Sequence, residues 1–250
     1  MIEKYLVKKI TEPVDWKVTV PGSKSMTNRA LLMAVLSAGT VRVEGVLFSD
    51  DSRHFLACLV ALGFTVEIEE EKKCVTVTGC GGRIPRGEAV IDVGSAGTAA
   101  RFLAAMLGFS DGCYEIRCSA QMKRRPMAEL FDLLSGAGAK ITFLEEEGHL
   151  PVRITGCRYA RADKTAGETP RELSLDITKS TQFLSALLLI APMVPEGMKI
   201  HIISEKTDGS YIRITRKMMQ EFGVSVAFDG RDYEVPCRSS YRKETYMVEP

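Results

Sequence analysis

Cysteine pairs, histidine clusters and membrane-length apolar stretches are all missing from this sequence, and each absence excludes a class of protein. The seven cysteines include no pair at a CxxC spacing, and the three histidines lie far apart. These patterns favour reduced thiols over a disulfide framework and predict no metal site. The apolar run 183–194 is too short to span a membrane and contains Pro192, so we expect no membrane partner.

Net charge is also close to absent, since 33 lysines and arginines against 32 aspartates and glutamates give a net charge of +1. A nucleic-acid or membrane partner usually requires a strongly basic surface, so neither is expected. No secretory signal pattern precedes Tyr5, and we expect a cytoplasmic protein. The 250 residues, 45% of them hydrophobic and 26% charged, allow one large or two small well-packed domains.

What the sequence does contain is one pattern repeated three times at a spacing of roughly 70–80 residues. Each unit reads strand, helix, strand, helix, strand, strand. The predicted helices are 26–36, a helix after 50–52, 99–107, 127–134, 183–190 and 211–222. The predicted strands are 18–20, 40–46, 65–69, 74–78, 90–93, 114–118, 140–144, 152–155, 173–177, 199–203, 224–228 and 232–235.

The two helices of each unit differ in character. The first is apolar on nearly every side, as in 102–107 and 187–191, and must be buried. The second is amphipathic, and in the third unit Ile214, Met218 and Phe222 form one apolar stripe. We therefore predict an α/β (α+β) fold, a pseudo-threefold domain of three βαβαββ repeats around three buried helices.

The starts of the buried helices carry the candidate binding groups. Segment 21–25 opens the first of these helices, and the polar segments 94–98 and 178–182 open the other two. Free N–H groups and the positive end of the helix dipole favour anions at such starts, and Lys24 and Arg29 add cations. Hydroxyl residues at helix starts often serve only as caps. Because the units are related, the three starts should share one surface, which we predict to bind phosphates.

The segment 21–31, with the pattern Pro-Gly-Ser-Lys-Ser-x-x-Asn-Arg-Ala-Leu, resembles the N-terminal signature of the 5-enolpyruvylshikimate-3-phosphate synthase family. Further matches follow in the order of the family, at 97–101, 122–126, 180–183 and 246–249. The resemblance covers nearly the whole chain. It implies three βαβαββ units packed into one globular half of a two-domain enzyme.

The resemblance also implies a role for each matching residue. Shikimate 3-phosphate should be bound by Lys24, Ser25, Arg29, Ser180, Thr181, Gln182, Thr207 and Tyr211. Phosphoenolpyruvate should be bound by Lys24, Gly97, Arg125 and Gln182, with Ser95, Thr98 and Arg101 in supporting positions. Within these sets, Ser25 and Arg29 should hold the carboxylate of shikimate 3-phosphate, because the planar guanidinium fork matches carboxylate oxygens in pairs.

The implied reaction transfers the enolpyruvyl group of phosphoenolpyruvate to the 5-hydroxyl of shikimate 3-phosphate, in aromatic amino acid biosynthesis. It needs no cofactor, and glyphosate is the inhibitor known for the family. The acid–base residues should lie in a second domain, to which residues 1–17 belong and 241–250 cross, while 18–240 form the substrate-binding domain. We expect the chain to be inactive alone and the complete enzyme to be monomeric.

Three departures from the family pattern affect details of the expected site. Ser95 stands where asparagine is frequent. Asp208 lies in a loop that normally supplies a hydroxyl to the shikimate phosphate, so Thr207 or Ser210 should take that role. Phe102 replaces a frequent proline and should change the shape near the phosphoenolpyruvate pocket and the response to glyphosate.

Two other classes of function stay open. A sister enolpyruvyl transferase acting on a nucleotide sugar shares the repeat fold, but none of the seven cysteines matches the context of its catalytic cysteine. The second class is a non-catalytic phosphate-ligand-binding module or an RNA-end-processing relative. The near-neutral charge and the absence of a suitable histidine argue against RNA.

Overall fold

A computed structural model describes residues 6–18, 20–157 and 169–250. The described residues form seven α-helices: α1 (Lys24–Leu36), α2 (Asp50–Ala61), α3 (Gly97–Gly108), α4 (Ala120–Lys123), α5 (Ala128–Gly136), α6 (Thr181–Ile190) and α7 (Ser210–Glu221). They also form twelve strands: β1 (Thr40–Glu44), β2 (Thr65–Glu69), β3 (Cys74–Thr78), β4 (Glu88–Asp92), β5 (Cys113–Arg117), β6 (Lys140–Phe143), β7 (Val152–Thr155), β8 (Arg171–Leu175), β9 (Met198–Ile202), β10 (Ala227–Phe228), β11 (Asp232–Val235) and β12 (Thr245–Met247).

The described strands assemble into three four-stranded sheets of one topology. Their orders are β12-β1-β3-β2, β4-β5-β7-β6 and β8-β9-β11-β10. In each sheet the first two strands run parallel and the remaining neighbours run antiparallel. A parallel pair needs a crossover connection, and α3 and α6 provide it in the second and third units. The predicted fold of three βαβαββ repeats is confirmed.

Three helices, one from each unit, form the centre of the domain. Every residue of α1 from Met26 to Leu36 is buried, as are 99–108 of α3 and 183–190 of α6. These three helices contact one another, and α2, α5 and α7 cover the outside. The prediction that the all-apolar helices lie inside is therefore confirmed, since a helix with no polar face loses least by complete burial.

The buried face of the covering helix α7 differs slightly from the predicted stripe of Ile214, Met218 and Phe222. Its buried face carries Ile212, Thr215, Met218 and Met219, whereas Ile214 is only half-buried. The buried face is thus wider than the three-residue pattern indicated. Thr215 was left out of that pattern because its side chain is polar. Thr215 is the polar residue that matters for the site below.

The first strand of the first unit is not where the sequence predicts it. Val18 and Val20 lie outside any strand and are 71% and 53% exposed. The strand β12 occupies the equivalent place instead and pairs in parallel with β1, with Tyr246 opposite Val43. Tyr246 is buried and packs on Phe222 at a ring-centroid distance of 5.1 Å, so β12 completes the core where Val18 does not.

Residues 241–250, which were expected to cross to a second domain, contact the described residues at several points. The buried Tyr241 hydroxyl donates to the carbonyl oxygen of Leu189 at 2.8 Å. The backbone N–H of Ser23 donates to the carbonyl oxygen of Glu249 at 2.9 Å, which ties β12 to the start of α1. These contacts fix the position of β12, and the predicted domain boundary at residue 240 stays a prediction. Residues 6–17 are exposed and contain no strand, and the predicted assignment of 1–17, of which 1–5 lie outside the described residues, stays a prediction.

The packing of β12 gives a stability prediction. Replacing Tyr246 with leucine should lower the free energy of unfolding by about 2 kcal/mol, because it removes a buried aromatic contact and leaves a cavity. Met247 is 56% exposed on the same strand, so Met247→Leu should change that free energy by less than about 0.5 kcal/mol. Urea unfolding of both variants measures the difference. Equal values for the two would contradict the placement of β12 in the core.

Candidate functional site

The N-terminal ends of α1, α3 and α6 lie side by side. Gln182, in the first turn of α6, donates from Nε2 to the Thr98 hydroxyl in the first turn of α3 at 3.4 Å. Arg29, in the second turn of α1, reaches the Ser185 hydroxyl of α6 at 3.4 Å, and its guanidinium carbon lies 5.3 Å from the Phe102 ring centroid of α3. The three helix starts therefore meet on one face, as the repeat pattern predicts.

The first turns of these helices differ in how they are capped. Ser180 caps α6, since its side-chain oxygen accepts from the Gln182 N–H at 3.2 Å. Ser23 and Ala96, which precede α1 and α3, make no side-chain cap, and neither does Gly209 before α7. No side chain therefore caps the first-turn amides of α1 and α3, and amides of this kind favour an anion.

Arg29 is the most deeply buried cation of the described residues, with 1% of its surface exposed. Its Nε donates to the Thr215 hydroxyl at 2.8 Å, and its Nη1 donates to the Ser25 carbonyl oxygen at 2.8 Å. Every hydrogen-bond acceptor it has among the described residues is neutral, and no described carboxylate forms an ion pair with it. Burial lowers the pKa of Arg29 to about 10, so the group is still charged at neutral pH.

A second buried guanidinium lies at the start of α3. Arg101 is 4% exposed, donates from Nη1 to the Gly97 carbonyl oxygen at 3.0 Å and leaves its Nε without a partner. Its guanidinium carbon lies 5.3 Å from the Phe183 ring centroid. Burial, helped by the positive charge of Arg125, lowers the pKa of Arg101 to about 10. This end of α3 therefore carries positive charge that no described carboxylate pairs.

Gly97 and Arg125 are in direct contact. A Cβ on Gly97 would overlap the Arg125 guanidinium, with Cζ only 2.5 Å away, so the glycine is what allows this arginine to lie against the first turn of α3. Arg125 is half-buried and forms no ion pair with a described residue. The two residues assigned to phosphoenolpyruvate from the motif are thus neighbours in space.

Lys24 is engaged by a carboxylate in this structure. Its Nζ lies 3.1 Å from Asp51 Oδ2 at the start of α2, and the Lys24 side chain is 51% exposed. An ion pair this exposed contributes about 1 kcal/mol or less, so Lys24 can leave Asp51 for a ligand anion at small cost. Asp51 lies in the first turn of α2, where an acidic side chain also complements the helix dipole.

The loop before α7 closes one side of the face. Tyr211 is 52% exposed, and the Arg29 guanidinium carbon lies 5.7 Å from its ring centroid. Asp208, expected to repel a phosphate, is paired with Arg213 at 2.7 Å. Burial raises the pKa of Asp208, but the Gly209 amide and Arg213 outweigh it and leave that pKa below its ordinary value. The carboxylate is therefore charged, and Arg213 offsets its field.

The remaining predicted residues also lie at or near this face. Thr181 starts α6, and a Cβ on Gly209 would lie 3.5 Å from its Cγ2, which places the start of α7 beside that of α6. Thr207 is half-buried, and its carbonyl oxygen accepts from the Tyr233 hydroxyl at 2.8 Å. Ser95 is exposed in the turn before α3. Gln182 keeps its Oε1 buried without a partner.

The sequence analysis did not predict two of the residues that contact Arg29. Thr215 and Ser185 are fully buried hydroxyl residues on α7 and α6, and their oxygens lie 3.2 Å apart. Ser185 is a polar residue inside an otherwise apolar helix, which is the signal that could have revealed it. Phe102 packs under Arg29, so the residue that replaces the usual proline borders the predicted shikimate side rather than only the phosphoenolpyruvate side.

Two of the described cysteines are kept as thiols by burial. Burial raises the pKa of Cys58 to about 12 and that of Cys118 to about 11, so both are thiols at neutral pH. The described His, Cys, Asp and Glu side chains include no group of three that could hold a metal ion. Within the described ranges, no helix is both long and apolar enough for a membrane crossing.

Comparison with known proteins identifies the family. Residues 8–250 match the family described as EPSP synthase (3-phosphoshikimate 1-carboxyvinyltransferase). The chain belongs to the EPSP synthase family. It is 36% identical over 242 residues to the 3-phosphoshikimate 1-carboxyvinyltransferase of Trichormus variabilis, covering 96% of this chain and 55% of that protein. It is 41% identical over 239 residues to the one from Sulfurovum sp., covering 94% and 54%.

Solved structures share the fold. EPSP synthase from Acinetobacter baumannii superposes with a TM-score of 0.75 at 24% identity, covering 92% of this chain and 49% of that one. The enolpyruvyl transferase NikO from Streptomyces tendae gives a TM-score of 0.63 at 13% identity, covering 96% and 53%. The chain spans about half the length of the curated EPSP synthase relatives it matches.

Proposed function

We propose that this chain binds shikimate 3-phosphate and phosphoenolpyruvate for transfer of the enolpyruvyl group to the 5-hydroxyl of shikimate 3-phosphate. The observation that supports this best is the pair of buried guanidinium groups, Arg29 and Arg101, at the shared face of the helix starts. Neither forms a salt bridge with a described carboxylate, and Glu129, whose charge acts on Arg101, is itself paired with Lys179. An unpaired buried charge is costly, and it persists where a ligand anion completes it.

The shikimate 3-phosphate side is assigned to Arg29 and its surroundings. Arg29 and Ser25 receive the ligand carboxylate, and the exposed Tyr211 ring flanks the cyclohexene ring. The start of α6, with Ser180, Thr181 and Gln182, receives the phosphate, because these hydroxyl and amide side chains lie beside the starts of α3 and α7 and can donate hydrogen bonds to it. Lys24 leaves Asp51 to contact both substrates.

The phosphoenolpyruvate side is assigned to the start of α3. Arg125 lies on Gly97 and presents a cation next to backbone amides that no side chain caps, an arrangement suited to a phosphate. Arg101 lies one helical turn behind Gly97 and adds positive potential from a buried position. Glyphosate, which carries a phosphonate and a carboxylate, is expected to compete for these same groups.

The chemistry that these groups support is an addition followed by an elimination. The 5-hydroxyl gives up its proton as its oxygen bonds to C2 of phosphoenolpyruvate and a proton adds to C3. The tetrahedral adduct then loses phosphate from C2 and a proton from the C3 methyl group to leave an enol ether. Fixed cations around the phosphate stabilise the charge that develops on it as it leaves. The shared face also holds the two reactants next to each other, which lowers the entropic part of the barrier.

Titration calorimetry with a small set of ligands tests the proposal. The 250-residue chain should bind shikimate 3-phosphate at one site, and it should bind shikimate, which lacks the phosphate, at least about tenfold more weakly. A nucleotide sugar such as UDP-N-acetylglucosamine and a short RNA with a terminal phosphate should not compete. If the nucleotide sugar or the RNA bound more tightly than shikimate 3-phosphate, the proposed substrate would be wrong.

A further inference from the structure

The hydrogen bonds around Arg29 divide its guanidinium into used and unused edges. A guanidinium has five N–H groups, with Nε and Nη2 along one side and Nη1 and Nη2 at the far end. Nε donates to Thr215 at 2.8 Å and Nη2 donates to Ser185 at 3.4 Å, so two hydroxyls occupy the side edge. Nη1 donates to the Ser25 carbonyl oxygen at 2.8 Å. One N–H on Nη1 and one on Nη2 have no acceptor among the described residues.

The Thr215 hydroxyl is oriented to accept from Arg29. The Thr215 hydroxyl has two acceptors within reach of its own hydrogen, the carbonyl oxygen of Tyr211 at 2.8 Å and the Ser185 hydroxyl at 3.2 Å, so a lone pair is left for the Nε–H of Arg29. Thr215 and Ser185 are both 0% exposed, and water does not compete for these bonds. Because both acceptors are neutral, they fix the guanidinium plane without cancelling its charge. A carboxylate in their place would form a closed ion pair and leave little attraction for a ligand.

We propose that Thr215 and Ser185 are positioning residues that occupy the side edge of Arg29 and leave its two terminal N–H groups to receive the carboxylate of the ligand. The inference rests on the proposed function and adds which N–H groups of Arg29 bind the ligand carboxylate. A planar carboxylate then meets the end of the fork with both oxygens, in the plane of the guanidinium. The approach through Nε is closed to the ligand.

Removing one hydroxyl tests the proposal. Thr215→Val keeps the shape of the side chain, leaves Nε without an acceptor and frees the guanidinium to turn. The affinity of the 250-residue chain for shikimate 3-phosphate, measured by calorimetry, should fall about tenfold. Thr215→Ser restores the hydroxyl and should bind within about twofold of the wild type. The same ligand with its carboxylate converted to a primary amide should bind wild type and Thr215→Val equally.

The outcomes separate this inference from the proposed function. No binding of shikimate 3-phosphate by the wild type overturns the proposed function and the inference with it. Equal affinity of wild type and Thr215→Val, or an equal loss in Thr215→Ser, overturns the inference alone. If Thr215→Val does not fold, Ser185→Ala replaces it. Its longer hydrogen bond of 3.4 Å predicts a loss of about threefold, and unchanged affinity would again overturn the inference.

Discussion

Replacing Arg29 with methionine is expected to raise the thermal stability of the protein while removing most of its affinity for shikimate 3-phosphate. The stability should rise because methionine fills a similar volume and removes a charge that burial disfavours, as the lowered pKa of about 10 shows. Thr215 keeps its hydrogen bond to the Tyr211 carbonyl oxygen. We expect the free energy of unfolding to increase by about 1–2 kcal/mol, a rise in Tm of about 2–8 °C.

The affinity should fall because the ligand carboxylate loses its charged partner. Truncating one member of a desolvated charge pair costs about 2–5 kcal/mol, so the dissociation constant should increase by about 30-fold or more. Thermal melting and calorimetry on one sample measure both effects. Arg153, whose side chain is 54% exposed on a sheet, provides the control, and Arg153→Met should alter neither quantity appreciably. A destabilised Arg29→Met variant that binds normally would show that Arg29 is structural.

Replacing Arg125 with alanine is the second change with a large expected effect. The dissociation constant for phosphoenolpyruvate, measured with shikimate 3-phosphate at saturation, should increase by about 100-fold, because the phosphate loses a charge-assisted partner at the start of α3. The folded protein should not be weakened, since Arg125 forms no ion pair with a described residue and repels Arg101.

The neighbouring Arg124 supplies a matched control for that variant. It is exposed, lies next to Arg125 in the chain and changes the net charge by the same amount when replaced. Arg124→Ala should leave the phosphoenolpyruvate affinity within about twofold of the wild type. An equal loss in both variants would mean that the general positive potential attracts the ligand, and that the contact of Arg125 with Gly97 has no special role.

The sequence predicted the secondary structure well where local pattern decides it. The segments that became α1, α3 and α6 are apolar all round, and no arrangement other than burial suits them. Glycine is the usual residue just after a helix, and Gly63, Gly138 and Gly223, which follow the covering helices, all have positive φ angles, of +92°, +99° and +90°. The strand β12 was missed as the partner of β1, because a parallel pairing between residues about 200 positions apart leaves no local signal.

The residues of the candidate site were also predictable from the sequence only where a local motif marks them. Motifs point to Arg29, Gly97 and Arg125 because each stands in a recognisable segment. Thr215 and Ser185 could not be found that way, because their role is to accept hydrogen bonds from a residue on another helix, and hydroxyls in helices are common. The ion pair of Lys24 with Asp51 is likewise a tertiary contact, whose partner lies at the start of a different helix.

The most direct measurement of the central claim is the change in backbone amide NMR signals when shikimate 3-phosphate is added to the chain. We expect saturable shifts at the starts of α1, α6 and α7, including Ser25, Thr181 and Tyr211, and their loss in Arg29→Met. Shifts confined to other places, such as around Arg171 at the C-terminal end of α5, would contradict this, as would a spectrum that the ligand leaves unchanged.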